Sequence, residues 1–177
     1  NTAERIRAAV GILAKQPLLR KQPKIAWIST WNARCGIANY SNYLTQAFPV
    51  DRLTILANHI VERMDLDQQN VIRCWTASET AQLDYALEII DEQNLEVIVI
   101  QYNFSFFSLA TLAAAIERLK ATRKMVYVFF HSTADVILPE QTKTLASIQT
   151  QLAMLDRIFV HGIDDMNRLK SWNLIDN

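Results

Sequence analysis

The sequence predicts a three-layer α/β/α fold built on a mainly parallel, six-stranded sheet. Three observations carry that expectation. Short apolar runs recur along the chain, as buried parallel strands require when both of their faces are covered. Between the runs, apolar residues fall at helical spacing, so strand and helix alternate. The 177 residues, 50% of them hydrophobic, suffice for one sizeable core.

The elements follow in order. Residues 3–15 read as an amphipathic leader helix with Ile6, Ala9, Val10 and Leu13 on one face. Pro17 and Pro23 bracket a short linker, so residues 1–23 form a leader and 24–177 the domain. The stretch that organises the rest is KIAWISTWNARCGIANYSNYLTQAF, from Lys24 to Phe48. Its Ile25–Ser29 is a buried strand, Thr30 to Cys35 a polar loop, and Ile37, Tyr40, Leu44, Ala47 and Phe48 the apolar face of a helix that ends before Pro49 and Asp51. Leu53 to Ala57 is a second strand, Asn58 to Asn70 a long polar connection, and Val71 to Trp75 a short third strand.

A helix is expected over about Glu79 to Gln93, capped by Thr76 or Ser78. Glu96 to Gln101 is the cleanest central strand, followed by an aromatic loop, Tyr102 to Phe107, and a helix from Ser108 to about Ala121. Lys124 to His131 is a fifth strand. Pro139 is expected to open a helix to about Leu155, since proline is tolerated in a first helical turn. Arg157 to Val160 is the sixth strand, and Asp164 to Trp172 a last helix. With right-handed crossovers, the natural order is 3-2-1-4-5-6, a Rossmann-like arrangement.

Composition excludes several classes. Lys plus Arg and Asp plus Glu number 18 each, so the net charge is zero, which argues against nucleic acid as a partner. Charge is unevenly placed: residues 1–24 carry six basic side chains against Glu4 alone. That leader reads either as a solvated helix and linker or as a peripheral contact with a membrane or partner. Two cysteines without metal-like spacing suit a reducing compartment. There is neither a membrane-length apolar run nor a secretory signal. The expected location is the cytoplasm, or the inner face of its membrane. The chain begins at Asn1, and it reads as a piece of a longer protein.

In such a sheet, ligands bind beyond the carboxyl ends of the strands, where the strand order reverses between strands one and four. The residues there are Arg34, Cys35, Gly36 and Ile37 after strand one, and Gln101, Tyr102 and Asn103 after strand four. His131 and Ser132 follow strand five, and His161 and Gly162 follow strand six. A helix starting at Gly36 would aim its free N–H groups at an anion. Each residue also has a plainer reading: Gly36 as a turn, His131 as a hydrogen-bonded core histidine, Cys35 as a small turn residue. The aromatic loop is packing, an interface, or a platform for an apolar or sugar acceptor. Asp135 lies four residues after His131, but no third ligand is evident, so no metal is expected. The dinucleotide fingerprint G-x-G-x-x-G and the phosphate-loop pattern are both missing from the sequence.

KIAWISTWNARCGIANYSNYL, EVIVIQYNFSFF, MVYVFFHS and LDRIFVHG, in that order, resemble the N-terminal domain of GT-B-fold glycosyltransferases of the family 4, group 1 kind. The resemblance covers residues 24–177 and rests on order and spacing more than on any single motif. It implies transfer of a sugar from a nucleotide diphosphate sugar to a glycan or lipid acceptor, with retention and no obligatory metal or other cofactor. It implies that His131 contacts the donor sugar as the catalytic residue, and that the Gly36–Ile37 turn approaches the donor diphosphate or the acceptor. In that family a second, C-terminal domain holds the nucleotide, and the sequence stops where the family would cross into it. This chain is then the acceptor-side half, expected to fold but not to turn over alone. The alternative is a non-catalytic Rossmann-like binding or interaction domain. A receiver-type regulatory module is disfavoured, because strand one ends in Ser29–Thr30 and strand four in Gln101 where that class needs acidic residues.

Overall fold

The computed structural model describes residues 22–174. The expected leader helix at 3–15 and most of its linker lie outside these residues.

Six strands form one wholly parallel sheet: β1 (Ile25–Ser29), β2 (Leu53–Asn58), β3 (Val71–Trp75), β4 (Val97–Tyr102), β5 (Met125–Phe130) and β8 (Arg157–Val160). Their spatial order is β3-β2-β1-β4-β5-β8, which is the expected 3-2-1-4-5-6 counted over this sheet alone. The helices are α1 (Gly36–Thr45), α2 (Asp84–Glu92), α3 (Leu109–Ala121), α4 (Gln149–Leu152) and α5 (Ile163–Ser171). Among the described residues none is long and apolar enough to cross a membrane.

Side-chain parity divides the core. Ala26, Ile28, Ile98, Ile100, Val126, Val128 and Phe130 point to one face, where they pack with residues of α2, α3 and α4. Ile25, Trp27, Ile55, Val97 and Val99 point to the other, against Leu44 of α1 and Phe48 beyond it. Helices thus cover both faces, giving the Rossmann-like three-layer α/β/α architecture. Register fixes the parity across strands: Ile100 lies beside Ile28 and Val128, and Gln101 beside Phe129.

Three segments differ from expectation. The second helix starts at Asp84, not near Glu79, and neither Thr76 nor Ser78 caps it. Ser78 instead joins a turn, its N–H donating to Phe106 O (3.0 Å) and its carbonyl accepting from Ala81 N (3.1 Å). That turn buries Ala81 and Leu83, and Thr111 Oγ1 donates to Ala81 O (3.0 Å), so tertiary packing outweighs the local cap.

Pro139 opens no helix. It sits at the tip of an antiparallel hairpin, β6 (Val136–Ile137) with β7 (Thr142–Lys143), closed by Leu138 N donating to Gln141 O (2.8 Å). Helical structure begins only with a 3₁₀ turn at Leu145–Ile148, where Thr144 Oγ1 accepts from Ala146 N (3.3 Å), and continues through the short α4. The β-branched Val136, Ile137, Thr142 and Thr144 explain the preference. Finally, α1 ends at Thr45, and Val50–Arg52 forms a 3₁₀ turn of its own before β2.

The β2–β3 connection has no helix but is tightly tied. Arg73 donates to both carboxylate oxygens of Asp67 (2.8 and 2.9 Å) and to the carbonyls of Asn58 and Trp31. Asn32 adopts a left-handed φ of 51° and donates to Asp67 Oδ1 (2.8 Å). Burial alone would raise the Asp67 carboxyl, but bonds from Arg73 and Asn32 and the guanidinium charge hold it below the usual carboxylate range.

Candidate functional site

The switch point holds a compact polar and aromatic cluster. β4 delivers Gln101, β5 delivers His131, β8 delivers His161, and α1 lays Tyr40 across them. Gln101, Phe129 and His131 share the α1 side of the sheet by parity. His131 Nε2–H donates to Gln101 Oε1 at 2.7 Å. The His131 and His161 rings lie 4.8 Å apart, and Tyr40 meets both edge-on at 5.4 and 5.1 Å.

Two consequences follow for hydrogen bonding. Gln101 is fully buried (0% exposed), and its Nε2 has no partner among the described residues. An unmet buried donor costs about 1–3 kcal/mol. His131 spends its Nε2–H on Gln101, so when neutral it keeps Nδ1 as an acceptor. Burial, with the charge of His161 second, pushes the His131 pKa down to about 4, so it is neutral at physiological pH.

That shift has a signed effect on stability. Its folded pKa lies below the unfolded value near 6.5, so below that pH the unfolded chain binds the proton and the folded chain resists it. His131 therefore costs nothing at pH 7, and stability falls as pH drops from about 6.5 toward 4. Allowing for solvent screening, the loss is about 1–2 kcal/mol. In thermal melts, His131→Gln is expected to flatten the decline between pH 6.5 and 4.5. The carboxyls held low, Asp67, Asp156 and Asp165, act in a more acidic window.

The turn after β1 supplies the second part. Ser29 and Ser41 share a hydrogen bond at 2.7 Å that stitches α1 to the strand end. Cys35 is the N-cap of α1 but caps no amide with its side chain, and its Sγ lies 3.7 Å from Thr30 Oγ1. The first-turn amides of α1 are thus left without a side-chain acceptor among the described residues. A Cβ added to Gly36 would meet nothing within 4 Å, so the helix start is open.

A third part positions β8's exit. Buried Thr133 donates through N (3.1 Å) and Oγ1 (2.6 Å) to Asp165 Oδ1, and Arg168 Nη1 donates to Thr133 Oγ1 (2.8 Å). The Thr133 hydroxyl bond comes first in holding the Asp165 carboxyl below its usual range. This clamp ties the loop after β5 to α5, which begins after Gly162, and so sets His161 beside His131. A Cβ on Gly162 would come within 3.3 Å of Asp165 Oδ2, so the glycine leaves that carboxylate its place.

Not every expected residue joins. Tyr102 ends β4 with the opposite parity and is buried in the helical core, its hydroxyl donating to Phe107 O (3.3 Å). Phe104, Phe106 and Phe107 are also buried, so the aromatic loop is packing and not a platform. Asn103 Oδ1 accepts from Ser105 N and Oγ, and Ser132 Oγ from Ala134 N, both as local turn bonds. Ile37 packs against the helical core. Arg34 lines a separate hollow of about 340 Å³ with Glu62, Arg63 and Met64, which no residue of the histidine cluster lines. Tyr40, Thr133, Asp165 and Arg168 were not foreseen. Only Tyr40 left a signal, one helical turn after Gly36.

Among the described residues, no three His, Cys, Asp or Glu side chains gather to hold a metal ion. Comparison of the chain with protein-family models, curated proteins and solved structures finds no match.

Proposed function

We propose that this chain is the acceptor-side half of a retaining glycosyltransferase that moves a sugar from a nucleotide diphosphate sugar to a glycan or lipid acceptor. The observation that carries the reading is the pairing of an unmet buried donor, Gln101 Nε2, with an acceptor, His131 Nδ1, at the switch point. A sugar hydroxyl can donate to His131 Nδ1, whereas Gln101 Nε2, at 0% exposure, is reached only when the cluster opens. The open start of α1 suits the anionic end of a donor. Retention and the need for a second domain come from the sequence resemblance alone.

In this reading His131 orients a sugar hydroxyl as a neutral imidazole, Gln101 fixes its tautomer, and Tyr40 holds both rings. Stabilising charge on the departing diphosphate is the largest catalytic contribution, and it comes mainly from the second domain. A neutral His131 also suits the second reading, a binding domain with no turnover.

The test is nucleotide-sugar hydrolysis or transfer by this chain joined to the domain that follows it, beside the 177-residue chain alone. Turnover by the joined form and none by the short form is expected. No turnover by the joined form across a broad donor and acceptor panel, with sugar binding retained, would leave the binding domain.

A further inference from the structure

Three large apolar side chains stand in water on one loop. Val61 (102% exposed), Met64 (60%) and Leu66 (83%) lie on the connection from β2 to β3. Single exposed apolar residues are ordinary, but three on one short loop form a patch of the kind that marks a contact with a protein or a membrane. The loop does not display them by being loose. Met64 N donates to Asn32 O (2.8 Å), and Asn32 Nδ2 donates to Leu66 O (3.4 Å) and Asp67 Oδ1 (2.8 Å). Asp67 is held in turn by Arg73. These bonds turn polar groups of the loop inward, onto the turn after β1, while its apolar side chains stay outward.

We propose that this loop docks on the surface of an anionic phospholipid bilayer, with Val61, Met64 and Leu66 inserted at the boundary of headgroups and acyl chains. Shape is the first argument. Val61 and Leu66 protrude, so a protein partner would need fitted pockets to receive them, whereas a fluid acyl layer moulds to them. Charge is the second. Arg34 and Arg63 line a hollow of about 340 Å³ beside Met64, with Glu62 as the opposing charge. The other carboxylates of the loop are engaged: Asp65 Oδ1 accepts from Leu66 N (2.7 Å), and Asp67 takes two bonds from Arg73. Two guanidiniums against one free carboxylate favour phosphate headgroups just above the inserted side chains. Apolar burial and attraction to anionic lipid add in such a contact. Position is the third. Asn32 ties the loop to the turn after β1, so the loop stands at the carboxyl end of the sheet with the histidine cluster. Docking there brings the mouth of the site to the bilayer surface, and it holds independently of the sugar-transfer reading.

The experiment is co-sedimentation of the full 177-residue chain with vesicles of phosphatidylcholine alone and with about 30% phosphatidylglycerol added. Val61→Ser with Leu66→Ser is expected to weaken binding to the anionic vesicles about tenfold or more, and Arg34→Ala with Arg63→Ala about tenfold. Melts check that both variants stay folded. Because the basic residues among 1–24 also attract anionic vesicles, a polarity-sensitive dye reports on the loop itself. The dye is attached at Val61→Cys, or at Glu92→Cys on the exposed end of α2 at the opposite end of the sheet. Both probes are made in a Cys35→Ser background, where the remaining Cys74 is buried. Anionic vesicles are expected to blue-shift the dye at position 61 and to leave the Glu92→Cys probe unchanged. Affinity in the serine variant equal to that of the unaltered chain overturns the proposal, as does binding without a shift at position 61. So does failure to bind either vesicle. A dimeric mass in light scattering that the serine variant abolishes would then place a second copy on the loop.

Discussion

Replacing Arg73 with alanine is expected to lower the unfolding free energy by about 3 kcal/mol, because it leaves a mostly buried carboxylate with only Asn32 and the more exposed Arg63 as partners and removes the bonds to two carbonyls. Arg73 and Asp67 are each 14% exposed at the side chain, so water gives little compensation. The same change removes the donors to the Asn58 and Trp31 carbonyls, which join β2's end, the β1 turn and the long connection. For a domain of this size, the melting temperature should fall by about 10 °C. The double variant Arg73→Met with Asp67→Leu removes both charges, and it should recover part of that loss. If the double variant is as unstable as the single, the stranded charge is not the cause. The lost carbonyl bonds would then carry the effect.

If the chain is the acceptor-side half proposed above, His131→Ala in the enzyme assembled with its second domain should reduce kcat/KM by about 100-fold, and its melt at pH 7 should also fall, because buried Gln101 Oε1 loses its partner. That size follows from losing a positioned hydrogen bond made in a desolvated site. His131→Gln keeps an acceptor and a donor and should retain more activity than alanine. Since His131 titrates near pH 4, its part in the rate should be flat from pH 5 to 8. Unchanged kcat/KM in the alanine variant would remove His131 from the site. A step near pH 6.5 that vanishes in the glutamine variant would instead make it a proton carrier.

The strands were legible because burial on both faces leaves unbroken apolar runs, as in IAWIS and VIVIQY. Their order followed from the handedness of crossovers. The helix starts were less legible. Ser78 is a good cap by type, yet its backbone is held in a turn by Phe106, which lies 28 positions on and gives no local signal. Pro139 fits a first helical turn and a hairpin tip equally well, and the β-branched neighbours decided between them.

The site was legible by position and illegible by parity. His131 and His161 were found because they end strands. Gln101 and Tyr102 looked equivalent at the end of β4, but neighbouring strand residues face opposite ways, so one enters the cluster and the other the core. Thr133, Asp165 and Arg168 carry no motif, and only the docking of α5 against the loop after β5 brings them together.

The two rims of the sheet have a consequence for self-association. β3 (VIRCW) and β8 (RIFV) are the outermost strands, five and four residues long, and each carries one arginine. Arg73 is held down onto Asp67 across one rim, and the exposed Arg157 opens the other. Short strands interrupted by charge are poor templates for edge-to-edge strand addition. The sheet is therefore protected from growing sideways into a ribbon of copies, although its apolar runs would favour one.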